Sequence, residues 1–211
     1  MSTSHIVQQG EHLSSIAQDY GFQAYETIWN HSNNAQLRQK RGNANVLYPG
    51  DVLFIPDRVD KKVPAATGAM HHFQLIDAKL KLSVRVRDRA GKPMPNTECE
   101  LEVDGQAYKL TTNAHGLVEK PIPATAKGGM FRVPELHLES PVQIGHLDPV
   151  DEQSGLAGRL RNLGYYRGDL EHVDKEALSS AVEEFQCDSG LAVDGMAGPK
   201  TMAKLKDFHG C

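Results

Sequence analysis

The chain contains ten histidines, a side chain that often binds metals and transfers protons near neutral pH. Their spacing does not favour a shared site. His71 and His72 are adjacent, His5 and His12 flank one predicted loop, and the others are dispersed along the chain. The His-Glu-x-x-His pattern, which places two imidazoles on one helical face, does not occur. We therefore expect dispersed surface histidines, no metal site and no cofactor.

The residues that could act as nucleophiles or paired carboxylates are also poorly arranged for catalysis. No Gly-x-Ser-x-Gly nucleophile motif is present. Glu183 and Glu184 are neighbours on a predicted helix, so they point in different directions and cannot form a glycosidase pair. Cys99, Cys187 and Cys211 are an odd and scattered set, which predicts free thiols. The sequence predicts no catalytic residue, and we interpret the chain as a non-enzymatic protein.

Length and composition indicate a globular chain of one to three small domains. It has 211 residues, 39% hydrophobic and 24% charged, with a formal net charge of −4. The only dense basic run is residues 37–41, which we expect to be a solvated helix face, so nucleic acid is not an expected partner. No apolar run of about 20 residues and no signal peptide is visible, which predicts cytoplasmic synthesis and no membrane insertion.

Residues 1–57 carry the pattern of a strand–helix–helix–strand unit. A short strand is predicted at residues 5–7 and another at residues 52–55. One helical face is defined by apolar residues at spacings of three and four, Leu13, Ile16, Ala17 and Tyr20. A second helix carries Tyr25, Ile28 and Trp29. The polar stretch from there to Asn45 is predicted to be a loop or a frayed helix.

The rest of the chain divides into a linker at 58–71, a β unit at 72–147 and a helical unit at 148–211. Apolar and polar residues alternate from Leu80 to Val86, and turn signals follow every eight to twelve residues, which predicts an all-β sandwich. The last unit returns to helical periodicity, with an internal repeat at an offset of 23, and predicts three helices. The predicted fold class is multi-domain α+β.

The first unit resembles the LysM domain. Its opening matches the family pattern V-x-x-G-[DE]-[ST]-L-x-x-I-A-x-x-Y-G at Val7, Gly10, Glu11, Leu13, Ile16, Ala17, Tyr20 and Gly21, and Asn45 to Leu53 match the closing half. The resemblance implies binding of N-acetylglucosamine glycans in a shallow groove between two loops. The implied glycan-binding residues are Gly10, Glu11, His12, Leu13, Asn45, Val46, Leu47 and Tyr48. His12 departs from the usual Ser or Thr, and the link before Tyr48 is longer than is typical.

The last unit resembles the type 1 peptidoglycan-binding domain, through Leu160 to Gly168 and through Glu184 to Thr201. The implied binding loop residues are Tyr165, Tyr166, Arg167, Asp194 and Gly195. An alternative is that Asp194-Gly195 and Gly198-Pro199 are turn residues that only build the fold. The earlier copy of the loop departs from the family, with Glu171-His172 where Asp-Gly is usual.

The middle unit resembles immunoglobulin-like or carboxypeptidase-regulatory-like sandwiches, through Arg89 to Asn96 and Thr111 to Leu117. The order of units resembles a group of predicted peptidoglycan-binding proteins encoded near spike (VgrG) genes of type VI secretion systems. That resemblance implies export to the periplasm by a contractile machine.

Two functions remain open. One is a peptidoglycan-binding protein that recognises glycan and possibly stem peptide. The other is a structural adaptor or chaperone that docks an effector onto the spike. In both, we expect the β unit to hold the two terminal units apart.

Overall fold

The computed structural model describes residues 2–59, 64–72, 79–88 and 90–210, and they form a mixed α+β chain. Arg89, Cys211 and part of the predicted linker, residues 60–63, lie outside the described residues. The elements fall into three groups along the chain. We refer to them as the N-terminal unit (residues 2–57), the β unit (79–143) and the C-terminal module (148–210).

The N-terminal unit is built on a two-stranded antiparallel sheet. The first and last strands pair in a register that runs from Thr3 opposite Ile55 to Ile6 opposite Val52. The apolar face predicted for the first helix packs into the core of this unit beside Trp29. The elements are β1 (Thr3–Ile6), α1 (Leu13–Asp19), α2 (Glu26–Trp29), a 3-10 helix (Ser32–Asn34), α3 (Ala35–Arg41) and β2 (Val52–Ile55).

Residues 35–41 form the ordered helix α3, whereas the sequence predicted a loop or a frayed helix for this stretch. Its start is anchored by Asn34, a buried side chain that donates to the carbonyl oxygens of Ile28 and Phe54, each at 2.8 Å. The same side chain accepts a hydrogen bond from the backbone N–H of Phe54. The helix ends at Gly42, whose φ of 70° suits glycine. Tertiary anchoring therefore orders a segment that lacks apolar periodicity.

The end of α3 also corrects the expectation of a solvated basic face. The Arg41 side chain is only 1% exposed, and its Nε and Nη2 donate to the two carboxylate oxygens of Asp51 at 2.7 and 2.9 Å. Burial alone would raise the pKa of Asp51, but hydrogen bonds from Arg41 and from the Tyr48 backbone lower it. This ion pair joins α3 to the turn before β2.

The β unit contains two antiparallel sheets that share one apolar core. One sheet is β3–β6, and the other has the order β5–β4–β7–β8. The alternation beginning at Leu80 was predicted correctly, since the apolar side chains of β3 turn inward and those of Lys81, Ser83 and Arg85 are exposed. The strands are β3 (Lys79–Arg85), β4 (Glu98–Val103), β5 (Gln106–Thr111), β6 (Leu117–Pro123), β7 (Gly128–Val133) and β8 (Leu138–Gln143).

The C-terminal module consists of α4 (Gln153–Asn162), α5 (Lys175–Asp188) and α6 (Pro199–His209), packed around one apolar core. Pro199 occupies the first turn of α6 after Gly198, as predicted. Buried Arg159 donates from Nη1 to the carbonyl oxygens of Asp148 and Gly155. Arg159 thereby fixes the segment before α4 onto that helix.

The expectation that the β unit holds the two terminal units apart is wrong. Nη1 of Arg41 lies 3.8 Å from Oδ2 of Asp151 and 3.6 Å from Oε1 of Glu152, so the N-terminal unit contacts the start of the C-terminal module. The guanidinium of Arg87 in turn lies 5.8 Å from the centre of the Phe208 ring. The chain folds back between β8 and α4, and sequence order gave no sign of this.

Two smaller observations concern the thiols and the membrane. Cys99, which is buried, and Cys187, which is exposed, are both free, as predicted. Burial raises the pKa of the Cys99 thiol. Within the described ranges, no helix combines the length and the apolar character that crossing a membrane requires.

We predict that Asn34→Ala lowers the free energy of unfolding of the N-terminal unit by about 2 kcal/mol, because it leaves buried backbone groups without partners. Urea unfolding followed by the fluorescence of Trp29, the only tryptophan, measures this. Asn33→Ala is the matched control, since Asn33 is exposed in the same 3-10 helix. Equal stability of the two variants would contradict the anchoring role.

Candidate functional site

The two loops that the sequence identified in the N-terminal unit lie side by side. Gly10, with φ of 87°, turns the chain after β1. The backbone N–H of Leu13 donates to the carbonyl oxygen of Ala44 at 3.4 Å. Oδ1 of Asn45 accepts from both the backbone N–H and the hydroxyl of Ser14, at 3.2 and 2.9 Å. Asn45 therefore holds the loop of residues 45–48 against the start of α1.

His12 caps the first helix. Its Nδ1 accepts from the backbone N–H of Ser15 at 3.3 Å, and the Ser15 hydroxyl accepts from the backbone N–H of His12 at 3.2 Å. The side chain is buried, with 2% of the residue exposed. Burial lowers the pKa of His12, against an opposing hydrogen bond with Asn45. The imidazole is therefore neutral near pH 7 and acts as a cap acceptor.

Most of the other predicted glycan-binding residues are occupied within the protein. Leu13, Val46 and Leu47 are buried, and the two leucines belong to the core of the N-terminal unit. Oε2 of Glu11 accepts from the Gln8 backbone N–H, and lies 2.7 Å from an imidazole nitrogen, Nε2 of His5. These residues build and brace the loops rather than lining an open groove in this conformation.

Tyr48 is the predicted residue that keeps an accessible aromatic side chain. It is half-buried, and the Arg41 guanidinium lies 5.4 Å from its ring centre. Tyr48 lines a shallow cleft of about 400 Å³ between the N-terminal unit and the C-terminal module. The other residues that line the cleft come from the start of α4 and from the loop before α5, which departs from the family pattern. They are Glu152, Gln153, Ser154, Leu170, Glu171 and Val173. The cleft is thus formed by both terminal units together.

The loop after β1 is covered by the chain's own segment between β8 and α4. A Cβ atom added to Gly145 would collide with the carbonyl oxygen of Gly10 and lie 3.2 Å from Cδ2 of His12. A Cβ atom added to Gly10 would lie 3.1 Å from Nε2 of His146. Gly145 therefore allows the two backbones to approach at a point where a larger residue would collide with the Gly10 carbonyl oxygen.

In the C-terminal module, the Asp194-Gly195 turn is held by one buried side chain, Gln186. Its Oε1 accepts from the backbone N–H groups of Asp194 and Gly195 at 3.0 and 3.1 Å. Its Nε2 donates to Oδ1 of Asp194, the carbonyl oxygen of Met196 and the hydroxyl of Thr201. Sequence reasoning did not identify Gln186, although it lies inside the stretch that carried the resemblance.

These contacts favour the fold-building interpretation of Asp194 and Gly195. Hydrogen bonds from the Met196 backbone and from Gln186 lower the pKa of Asp194. Gly195, with φ of 67°, has no room for a side chain beside Ser179. The turn instead presents two large apolar side chains next to it, Val193 at 56% and Met196 at 66% exposed.

The two tyrosines of the same module follow α4, and Tyr165 contacts a different face of α5. The Tyr165 hydroxyl donates to Oδ2 of Asp188 at 3.1 Å. The Tyr165 and Phe185 rings pack in a T-shaped arrangement, with 5.5 Å between the ring centres. Tyr166 is buried and donates to the carbonyl oxygen of Asp169 at 3.2 Å, whereas Arg167 is exposed. Residues 185 and 188 share one face of α5, and residues 179, 183 and 186 share another. The five predicted residues therefore do not form one loop site.

The residues that the structure describes contain no candidate metal site. No group of three His, Cys, Asp or Glu side chains among them could hold a metal ion.

Comparison with known families gives one match. Residues 156–205 match the family model described as "Putative peptidoglycan binding domain". The matched range covers most of α4, all of α5 and most of α6, including Gln186 and the turn that it holds. Comparisons with curated proteins and with solved structures find no match to the chain. Residues 156–205 therefore match a peptidoglycan-binding domain, which suggests peptidoglycan binding by the C-terminal module.

We expect Gln186→Ala to destabilise the C-terminal module by about 3 kcal/mol, because several buried partners lose their hydrogen bonds together. Hydrogen exchange of the Asp194 and Gly195 amides, which donate to Gln186, should accelerate in the same variant. The adjacent Cys187→Ala is the control, because Cys187 is exposed. Unchanged exchange in Gln186→Ala would show that the turn does not depend on this side chain.

Proposed function

We propose that this protein is a non-catalytic binding protein for bacterial peptidoglycan, and that the C-terminal module makes the main contact. The observation that carries the proposal is the match over residues 156–205, which coincides with a complete three-helix module. Within it, Val193 and Met196 stand exposed on either side of a turn that Gln186 holds rigid. Exposed apolar side chains on a fixed backbone lose little entropy on binding.

The N-terminal unit would add a second contact to the glycan. Its resemblance to the LysM domain supports this role, and so does the half-exposed Tyr48 ring at the rim of the cleft. Aromatic faces and N-acetyl methyl groups pack well, while backbone amides and side-chain oxygens can meet sugar hydroxyls. Linking two weak contacts in one chain raises the overall affinity without any new contact surface.

A second candidate function is a structural adaptor in type VI secretion, docking an effector onto the spike. One observation favours it. The loops expected to bind sugar already hold a polypeptide segment, at Gly145 and His146. The order of the units resembles proteins encoded beside spike genes, and a contractile machine would deliver such a chain to the periplasm. In this alternative, the modules serve protein contacts.

The double variant Val193→Ser/Met196→Ser should bind insoluble peptidoglycan about tenfold more weakly in a sedimentation assay. Partial loss of two apolar contacts of this size costs about 1–3 kcal/mol, and about 1.4 kcal/mol corresponds to tenfold. The control is Val59→Ser/Met70→Ser, which changes the same two residue types at positions outside the module that are 91% and 85% exposed. Both proteins should keep the circular dichroism of the native chain.

The adaptor alternative makes a different prediction for the same variants. If neither Val193→Ser/Met196→Ser nor Tyr48→Ala changes sedimentation, these surfaces do not bind the wall. Tyr48→Ala is preferable to a Leu47 substitution, because Leu47 is part of the core. Co-purification of the native chain with spike or effector proteins, lost in these variants, would then favour the adaptor.

A further inference from the structure

Residues 144–152, which we call the clasp, connect the β unit to α4 and lie across the N-terminal unit. One end of the contact is the meeting of two glycines, Gly10 and Gly145, with φ of 87° and 79°. Gly145 has no room for a Cβ atom, because that atom would collide with the Gly10 carbonyl oxygen, and a Cβ atom at Gly10 would lie 3.1 Å from Nε2 of His146. At this end, the clasp meets the N-terminal unit through its backbone, whereas its Ile144 and Val150 side chains pack into the cores of the β unit and the C-terminal module.

The other end of the clasp is an ion contact with Arg41. Its bonds to Asp51 at 2.7 and 2.9 Å lie within the N-terminal unit and do not depend on the clasp. The clasp carboxylates of Asp151 and Glu152 stand at 3.8 and 3.6 Å from Nη1, too far for good hydrogen bonds. Their side chains are partly exposed, so salt and water weaken their attraction to the guanidinium.

Closure of the clasp also carries a cost. Nη1 of Arg41 is buried and has no hydrogen-bond partner. A buried donor without an acceptor is destabilising, and water could reach this N–H if the clasp moved away. The closed contact thus combines a weak ion attraction with an unsatisfied donor. Two states of similar free energy are expected from such a balance.

The clasp covers the surface to which the resemblance assigns glycan binding. Cδ2 of His12 lies 3.2 Å from the position of a Cβ atom added to Gly145. The cleft beside Tyr48 is bounded by Glu152, the last residue of the clasp. Movement of the clasp would widen this cleft and uncover the loops at residues 10–13 and 45–48.

We propose that the clasp is an autoinhibitory strap that closes over the loops of the N-terminal unit and opens to admit a glycan. The closed state keeps the two terminal units in contact and leaves wall binding to the C-terminal module. The open state adds the N-terminal loops to the binding surface. The identity of the ligand rests on the proposed function. The opening is inferred separately, from the contacts that the clasp makes with Gly10 and Arg41.

The test uses the full chain with Gly145→Ala, which places a methyl group against the Gly10 carbonyl oxygen. Gly105→Ala is the matched control, because Gly105 has nearly the same φ, 77°, and open space around it. Acylation of His12 by diethyl pyrocarbonate, read by mass spectrometry, reports access to the covered loop. Relaxation of backbone ¹⁵N nuclei reports whether residues 2–55 and 150–210 tumble together.

In Gly145→Ala, we expect faster acylation of His12 and separate tumbling of the two terminal units, with neither change in Gly105→Ala. A second variant, Asp151→Asn/Glu152→Gln, should show the same changes without altering any glycine. Its control is Glu183→Gln/Glu184→Gln, which removes the same charge from an exposed part of α5. If His12 stays protected and the units still tumble together in both clasp variants, the clasp does not act as a movable strap.

Sedimentation with peptidoglycan then tests what the strap inhibits. Opening should raise the apparent affinity by about twofold or more, because apparent affinity scales with the fraction of molecules in the competent state and the closed state is at least as populated as the open one. Uncovered loops with unchanged sedimentation would refute autoinhibition of glycan binding. That outcome is distinguishable from failure of the proposed function, which Val193→Ser/Met196→Ser tests in the C-terminal module with the clasp intact.

Discussion

The buried ion pair between Arg41 and Asp51 is the interaction on which the arrangement of the chain depends. The two hydrogen bonds fix the end of α3 to the turn before β2, and Asp51 also accepts from the Tyr48 backbone N–H at 3.0 Å. Removing either partner would leave a charge inside the protein, which is strongly destabilising. The third nitrogen of the same guanidinium faces Asp151 and Glu152, so the residue that closes one unit also positions the next.

In each terminal unit, one buried polar side chain satisfies several backbone groups and so helps to stabilise a small domain. Units of about 60 residues bury limited apolar surface, so single polar side chains that satisfy several backbone groups carry much of their order. Asn34 does this in the N-terminal unit, where it joins the end of α2 to β2. Gln186 does it in the C-terminal module, where it holds the turn between α5 and α6. In both cases, one buried polar side chain joins two segments of the unit.

Contact between the terminal units changes how their binding surfaces are understood. A chain with separated modules would engage two ligands independently, and its affinity would follow from the linker alone. Here the segment before α4 lies on the N-terminal loops, and the cleft at Tyr48 belongs to both units. Under the proposed function, binding at one unit is coupled to the position of the other, and Gly145 sets how closely the two backbones can approach.

The sequence determined the local elements and the nature of the C-terminal module. Periodicity located α1, the alternating strand β3 and the start of α6 at Pro199, because each pattern reflects which face of one element is buried. The matched motif over 156–205 likewise depends on residues close together in the chain. Local spacing carries this information directly.

Four features were visible only in the tertiary structure. They are the formation of helix α3, the burial of Arg41, the role of Gln186 and the covering of the N-terminal loops. These features depend on contacts between residues that are distant in sequence. Asn34 contacts β2, Arg41 lies near the start of α4, and Gly10 lies against Gly145. A basic run has the same sequence whether it is solvated or paired with a buried carboxylate. Only the fold brings the partner within reach, because hydrogen bonds and backbone contacts act over a few ångströms in space and not along the chain.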